Sequence, residues 1–472
     1  MSVTGVPVVS CGANWIVPYR VATGCAGIRS GILLAALFTA LAGAMTVGCA
    51  THADSLAQIR QAYYAGQLDR ARSLIDRQLR REGPDSDVLR LERAMVELAA
   101  GQPKQAEQTL RQVRDRFEYL EQKSAAEAAA AVVSDDQALA YAGEDYEKVL
   151  IRAFLALANL MADGGDALAY SLQVTEKQNQ IILGGTDPSG HNPKLAYRRV
   201  AFGAYLHGVL MEASHLHYDD AARAWAKVLS WQPQFPYGPD DLQRARYGRH
   251  SAPGNGVVYV FALVGRGPYK QEALEEPSRA ALLIADRILS YTGKHTLPPT
   301  VAPVKVPQVV LWPNRIRRVL VSVDGHGAGQ TETVTDVGRL AVQQYAAIYD
   351  QVVARAVVRR IVKKALIYGA KEALNVDRHS VASVLLDMGG VVWEATESAD
   401  TRCWGLLPDK IQVVRLELPA GHHRIGLQAA GEAGPIGPSH SATINVLDGR
   451  NTYLLAIIPD SRAVGQILVN TP

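Results

Sequence analysis

From Leu56 to Val228 apolar residues recur at intervals of three and four. Leu56, Ile59 and Tyr63 form one set, and Leu91, Met95 and Leu98 another; Ala71, Leu74 and Ile75, then Ala106, Leu110 and Val113, continue it. Such spacing places each set on one face of a helix. After Gly256 the pattern changes. Val257-Val258-Tyr259-Val260-Phe261-Ala262 is an unbroken run of mostly β-branched and aromatic residues, which predicts a buried strand. Further on, Val413, Arg415 and Glu417 alternate with Val414, Leu416 and Leu418, the period of a strand with two different faces. Two kinds of architecture therefore share the chain.

The helical part repeats. Ala65-Gly66-Gln67 followed by Ala71 recurs 35 positions later as Ala100-Gly101-Gln102 followed by Ala106. This is close to the roughly 34-residue tetratricopeptide period, in which each repeat is a pair of helices. Another unit reads Tyr205, Gly208, Met211 and Glu212, a turn at Tyr218-Asp219-Asp220, then Ala221, Trp225 and Pro233. A weaker one runs from Tyr146 to about Ile182 through Gly164-Gly165, with an alanine-rich helix around Ala125 to Val133 before it. Stacked helical pairs leave a concave surface suited to peptides or partner helices.

The second half reads as mixed α/β. Helices are expected at Ala280–Tyr291, from Val337 to Leu374 and at Val381–Thr396, and strands at Val309–Leu311 and Arg318–Val323. Thr443–Val446 and Tyr453–Ile458, joined by a turn at Asp448-Gly449, are expected to form a hairpin. The expected fold is α+β and multidomain. Residues 1–48 are a signal peptide and 49–250 a tetratricopeptide-like array. Residues 254–472 are a mixed α/β module holding a small β-sandwich or sheet, with a long helix at 337–374 and a β-rich end at 411–460.

The N-terminus reads as an address. Arg20 and Arg29 are the charged side chains before Asp54, and an uncharged apolar run fills the stretch from Gly31 to Gly48. A basic segment, an apolar run and small terminal residues make a secretory signal. Gly48 directly before Cys49 resembles a bacterial lipobox, with Cys49 the lipid attachment point; Thr46 departs from the aliphatic residue usual in that pattern. The run also has nearly the ~20 residues of a membrane-spanning helix, so an uncleaved anchor is the competing reading, and an incidental Cys49 a third. The stretch before Arg29 is long for a signal peptide, which suits a translation start beyond Met1. Ala50 and Thr51, with no Asp after Cys49, favour the outer membrane.

Composition narrows the function. The chain has 472 residues, 48% hydrophobic and 20% charged, with a formal charge of +3. This excludes wholesale disorder and gives no support to nucleic-acid binding. Of the four cysteines, Cys11 and Cys25 go with the signal, leaving Cys403 as a lone thiol, expected to be buried. No G-x-S-x-G occurs, and Gly325-His326-Gly327-Ala328-Gly329 lacks the P-loop lysine, so a hairpin loop is expected there. His207, His215, His217 and the pair His422-His423 lack a metal-ligand spacing, and no metal or other cofactor is expected. Arg355, Arg359, Arg360, Lys363, Lys364 and Lys371 spread over one broad face of the long helix, either solvated or set against anionic headgroups. The apolar segment Val384–Trp393 follows them, interrupted by Asp387. Asp400 and Arg402 point the same way on an extended segment, and Trp404 follows. They read as a buried ion pair with a core indole, or as a contact for a ligand carboxylate or partner.

Several strings carry a resemblance: Gly143-Glu144-Asp145-Tyr146-Glu147 with its leucine-rich helix, Tyr218-Asp219-Asp220-Ala221, Gly256-Val257-Val258-Tyr259-Val260, and above all Ala399-Asp400-Thr401-Arg402-Cys403-Trp404 with Leu407-Pro408. In these the chain resembles a family of bacterial outer-membrane lipoproteins with N-terminal tetratricopeptide-like repeats. The resemblance covers most of the chain after Cys49 and implies no assigned enzymatic activity. It also implies gene-cluster companionship with small envelope lipoproteins, some akin to peptidoglycan-synthase activators. The expected function is a non-enzymatic, lipid-anchored envelope scaffold facing the periplasm. Its partners are the membrane, through acylated Cys49, and other envelope proteins, with no nucleic acid. The alternatives are a regulator or enzyme of cell-wall polymer metabolism, or a membrane-inserting assembly component.

Overall fold

Tight turns between amphipathic segments fold the first half into helical hairpins. The computed structural model describes residues 56–126, 140–186, 190–292, 297–298, 301–373 and 398–471. The expected signal peptide, Cys49, most of the expected alanine-rich helix and the expected helix at Val381–Thr396 lie outside them, as does the segment Val384–Trp393. The first elements are α1 (56–64), α2 (Leu68–Leu79), α3 (Ser86–Ala99), α4 (Pro103–Ala126), α5 (Asp145–Leu160), α6 (Ala167–Leu183), α7 (Ala201–Ala213), α8 (Tyr218–Trp231) and α9 (Gly238–Arg246). The two Ala-Gly-Gln turns join α1 to α2 and α3 to α4, and Ala71 and Ala106 are fully buried where the paired helices meet.

One expectation about this half changes. Tyr218-Asp219-Asp220 is the first turn of α8, not a loop. The connection is Ser214–His217, where His215 has a φ of 59°. Asp219 and Asp220 suit a helix start because negative charge there meets the positive end of the helix dipole. Across this pair Gly208 lies under the Trp225 ring, so close that a Cβ would stand 2.7 Å from the indole.

The second half comprises β1 (Asn255–Val264), β2 (Tyr269–Glu275), α10 (Arg279–Thr292), β3 (Val304–Val310), β4 (Arg318–Val323), β5 (His326–Gln330), β6 (Glu332–Asp336), α11 (Val337–Ala373), β7 (Lys410–Pro419), β8 (Gly421–Ala430), β9 (His440–Val446), β10 (Asn451–Ile458) and β11 (Leu468–Asn470). The glycine-rich stretch after Asp324 is strand β5 rather than the expected loop. The turn is confined to Asp324 and Gly325, both at positive φ, which matches the twist of a two-residue hairpin.

Two sheets pack face to face. One runs β11-β10-β1-β7-β6, the other β5-β4-β8-β9. Val258, Val260 and Ala262 of β1 and Leu454, Ala456 and Ile458 of β10 meet Val319 and Val321 of β4 and Ile425 and Leu427 of β8 in one core. Alternate residues of the first sheet face the helices instead. Tyr259 and Phe261 lie against Tyr205 and Phe202 of α7, with ring centroids 6.5 and 5.8 Å apart. Every residue of β10 is buried because both sides of its sheet are covered.

This layering overturns the expected hairpin at 443–458. β9 pairs with β8 in the outer sheet, whereas β10 runs parallel to β1 in the central one. The Asp448-Gly449 turn hands the chain from one sheet to the other. A separate small core joins α10, α11 and β3 through Ala281, Ala285, Val306, Val353 and Val357. The architecture is α+β. The connection 250–254 leads from α9 to β1, and Gln58–Pro472 forms one compact unit.

Replacing Gly208 by Ala forces the new methyl group into the Trp225 ring. We expect a loss of about 1–3 kcal/mol, read as a lower urea midpoint with unchanged slope.

Candidate functional site

The residues that stand out in the sequence, Asp400, Arg402 and Trp404, lie on an extended strap that precedes β7. Residues 402–409 are buried throughout, yet they belong to no sheet. Buried amides without strand partners must find acceptors elsewhere. Here two glutamates on the first helices of successive hairpins supply them. Glu92 of α3 accepts from the Gly405 and Leu406 amides at 3.2 and 3.0 Å, and Glu147 of α5 accepts from the Trp404 amide at 2.8 Å. Three consecutive N–H groups are thereby held by two carboxylates.

Each glutamate is held in turn. Arg60 of α1 donates to Glu92 at 2.8 Å and, through its other arm, to the Cys403 carbonyl at 3.0 Å. Glu147 completes a capping box at the start of α5 with Glu144, and the Tyr141 and Tyr146 hydroxyls donate to it. Burial pushes both carboxyl groups above their ordinary range; Arg60 and the strap amides oppose this at Glu92, while nearby Glu144 adds to it at Glu147. The Trp404 indole is fully buried 5.4 Å from Phe154, and its N–H has no acceptor among the described residues. Gly405 is required where it lies, since a Cβ there would fall 2.1 Å from the Arg60 guanidinium carbon.

Asp400 and Arg402 form a two-pronged ion pair, both bonds 2.8 Å long. Arg402 also donates to the Pro84 carbonyl at 3.2 Å and lies over the Tyr141 ring. Burial raises the Asp400 carboxyl, but the Arg402 guanidinium outweighs it and holds the group below its usual range. The pair therefore docks the strap onto the helical array. Cys403 is buried as expected, and burial pushes its thiol up. Asp400 also borders a cavity of about 170 Å³ with Glu144, Lys270, Arg355 and Arg359. Lys270 is ion-paired to Glu144 there.

The remaining C-terminal contacts follow the same plan. The Phe202 amide at the start of α7 donates to Thr335 of β6, and Asn470 donates to the Leu160 carbonyl at the end of α5. The first helices of the hairpins thus turn one face to the chain's own second half. That face is occupied by the strap and the central sheet, whose buried contacts with it remove apolar surface from water.

Other candidates are dispersed. The His215 and His250 rings lie 4.5 Å apart, His423 pairs with Asp324 at 2.8 Å, His207 is half-buried on α7, and His217 and His422 are exposed. Among the described residues no group of three or more His, Cys, Asp or Glu is placed to hold a metal. The cations of α11 do not share one solvated face: Arg359 is buried, Arg360 donates to the Pro303 carbonyl, and Arg355 and Lys364 are exposed. The side chains of Lys363 and Lys371 lie outside the described residues, as does Cys49. Among the described residues no helix is long and apolar enough to cross a membrane. The chain matches no protein family, curated protein or solved structure.

Arg60 and Glu92 carry no motif in the sequence, and Glu147 is marked there only as part of the Gly143-Glu144-Asp145-Tyr146-Glu147 string. Their shared signal is a charge on the apolar side of a helix, Glu92 beside Leu91 and Met95 being the clearest case.

Glu92→Ala leaves half-buried Arg60 without its carboxylate and two buried amides without an acceptor. We expect a loss of about 3–5 kcal/mol in urea unfolding, larger than for an exposed glutamate such as Glu82. The pH dependence is set by the directions above. The folded-state values of Glu92 and Glu147 are raised, so their contribution is complete below the unfolded value of about 4.3 and is lost as pH rises through the folded values. Asp400 is lowered, so its contribution is present above about 3.9 and lost as pH falls through its folded value. The melting temperature measured against pH should therefore rise on acidification from neutrality, then fall at strongly acid pH. Glu92→Gln with Glu147→Gln should flatten the first limb, and Asp400→Asn the second.

Proposed function

We propose that the chain is a non-enzymatic, lipid-anchored scaffold of the bacterial cell envelope, tethered through acylated Cys49, with tetratricopeptide-like hairpins as its N-terminal half. The observation that carries the scaffold reading is the closed face of the array. Glu92 and Glu147, two buried carboxylates on that face, are occupied by the chain's own amides at Trp404, Gly405 and Leu406. A buried carboxylate already accepting two or three hydrogen bonds is a clamp for the backbone, not a base open to an incoming substrate. The outcome is a rigid body that presents its outer surfaces to partners.

The anchoring half of the reading rests on Gly48-Cys49 at the end of an uncharged apolar run. Several acyl chains hold a protein on a bilayer durably where one is marginal. Cys49→Ser, or globomycin treatment of cells making the parent chain, should move the protein out of its membrane fraction or leave an unprocessed, slower-migrating form. Unchanged retention and unchanged mobility in both arms defeat the lipidation claim.

A further inference from the structure

The segment between β3 and β4 crosses the start of α11 and leaves an open groove of about 600 Å³. Three apolar side chains line it while remaining in water. Leu311, Trp312 and Val342 are 42%, 43% and 40% exposed. The indole is braced from behind, with the Tyr269 ring 4.7 Å away and the Arg266 guanidinium 5.8 Å from its centroid. An aromatic side chain held rigid and half bare loses little entropy when something packs on it.

The charges around the groove are unbalanced. Arg198 and Arg339 border it, both exposed, and neither guanidinium makes an ion pair among the described residues. Lys410 adds a third cation, 3.9 Å from Asp409. The two acids that line the groove are already engaged. Asp336 caps α11 by accepting from the Arg339 amide at 2.8 Å, and Asp409 accepts from the Asn314 amide group at 2.7 Å.

An occupant that answers both features needs carboxylates beside an apolar side chain. An acidic polypeptide segment has both. The aliphatic walls of Leu311 and Val342 suit a branched or aromatic side chain better than a sugar ring, which favours aromatic faces with polar neighbours. We propose that this groove docks an extended acidic segment of a partner protein, its apolar side chain against Leu311, Trp312 and Val342 and its carboxylates on Arg198 and Arg339. This inference deepens the scaffold reading and rests on it, by naming the chemistry of the partner.

The test uses the full chain in detergent and a phage-displayed library of random peptides as the probe. Selection should enrich Asp and Glu flanking Leu, Ile, Phe or Trp. A synthetic peptide of the recovered consensus should bind about ten-fold more weakly to Trp312→Ala and to the Arg198→Ala, Arg339→Ala double variant. Its binding should weaken as salt is raised, since the guanidinium contacts are exposed. Val342→Glu, an exposed change that leaves the core untouched, should repel the same peptide, and circular dichroism should confirm that each variant is folded. Enrichment without acidic residues, or a consensus peptide that binds all of these variants as it binds the parent, overturns the proposal. An acidic hexuronate oligosaccharide that binds the parent and not Trp312→Ala overturns it too, and assigns the groove to polysaccharide. The outcome is independent of Cys49: peptide binding with failed lipidation leaves the groove standing, and lipidation without peptide binding removes the groove alone.

Discussion

Two buried carboxylates hold the molecule in one arrangement. Glu92 and Glu147 stand on neighbouring hairpins of the array, and between them they accept the amides of Trp404, Gly405 and Leu406. Removing a carboxylate from water is costly unless hydrogen bonds replace the lost hydration. A strap without strand partners has the complementary problem, since its N–H groups need acceptors. Each side satisfies the other. Arg60 completes the arrangement by reaching both Glu92 and the Cys403 carbonyl.

The rest of the layering follows. With the strap seated on α1, α3 and α5, the strand it leads into, β7, enters the central sheet beside β1. That sheet is then covered on one side by α7 and on the other by the second sheet. The aromatic residues of β1 and β10 fill the helical side, and the aliphatic ones fill the sandwich core. The first helices of the hairpins are covered by the chain's own strap and sheet. What stays open is at the periphery, where the start of α11 meets the β3–β4 connection and half-bare apolar side chains lie beside exposed guanidiniums.

Much of this was legible in the chain. The spacing of Leu91, Met95 and Leu98 marked a helix, the run from Val257 to Ala262 marked a buried strand, and the start of the long helix at Val337 was marked as well. These are local signals, set by period and side-chain shape. The misreadings share a cause. Thr443–Val446 and Tyr453–Ile458 were assigned to one hairpin because a short turn joins them, but whether neighbouring strands pair is decided by which faces must be covered. Asp400 and Arg402 were recognised as a pair, since two residues apart on an extended chain they lie on one side; what they dock against had no local signal.

By itself, then, the sequence determined the elements, the α+β character and a pair of charges fit for burial, because helical and strand periods and i, i+2 geometry act over a few residues. The tertiary structure alone decided that the strap at 399–409 lies on the helical array, that β10 runs parallel to β1, and that Arg198, Trp312 and Arg339 border one groove. Those facts join residues from about thirty to more than three hundred positions apart. Contacts over such separations are set by competition among buried surfaces and unsatisfied polar groups across the whole fold, for which no window of sequence carries a period.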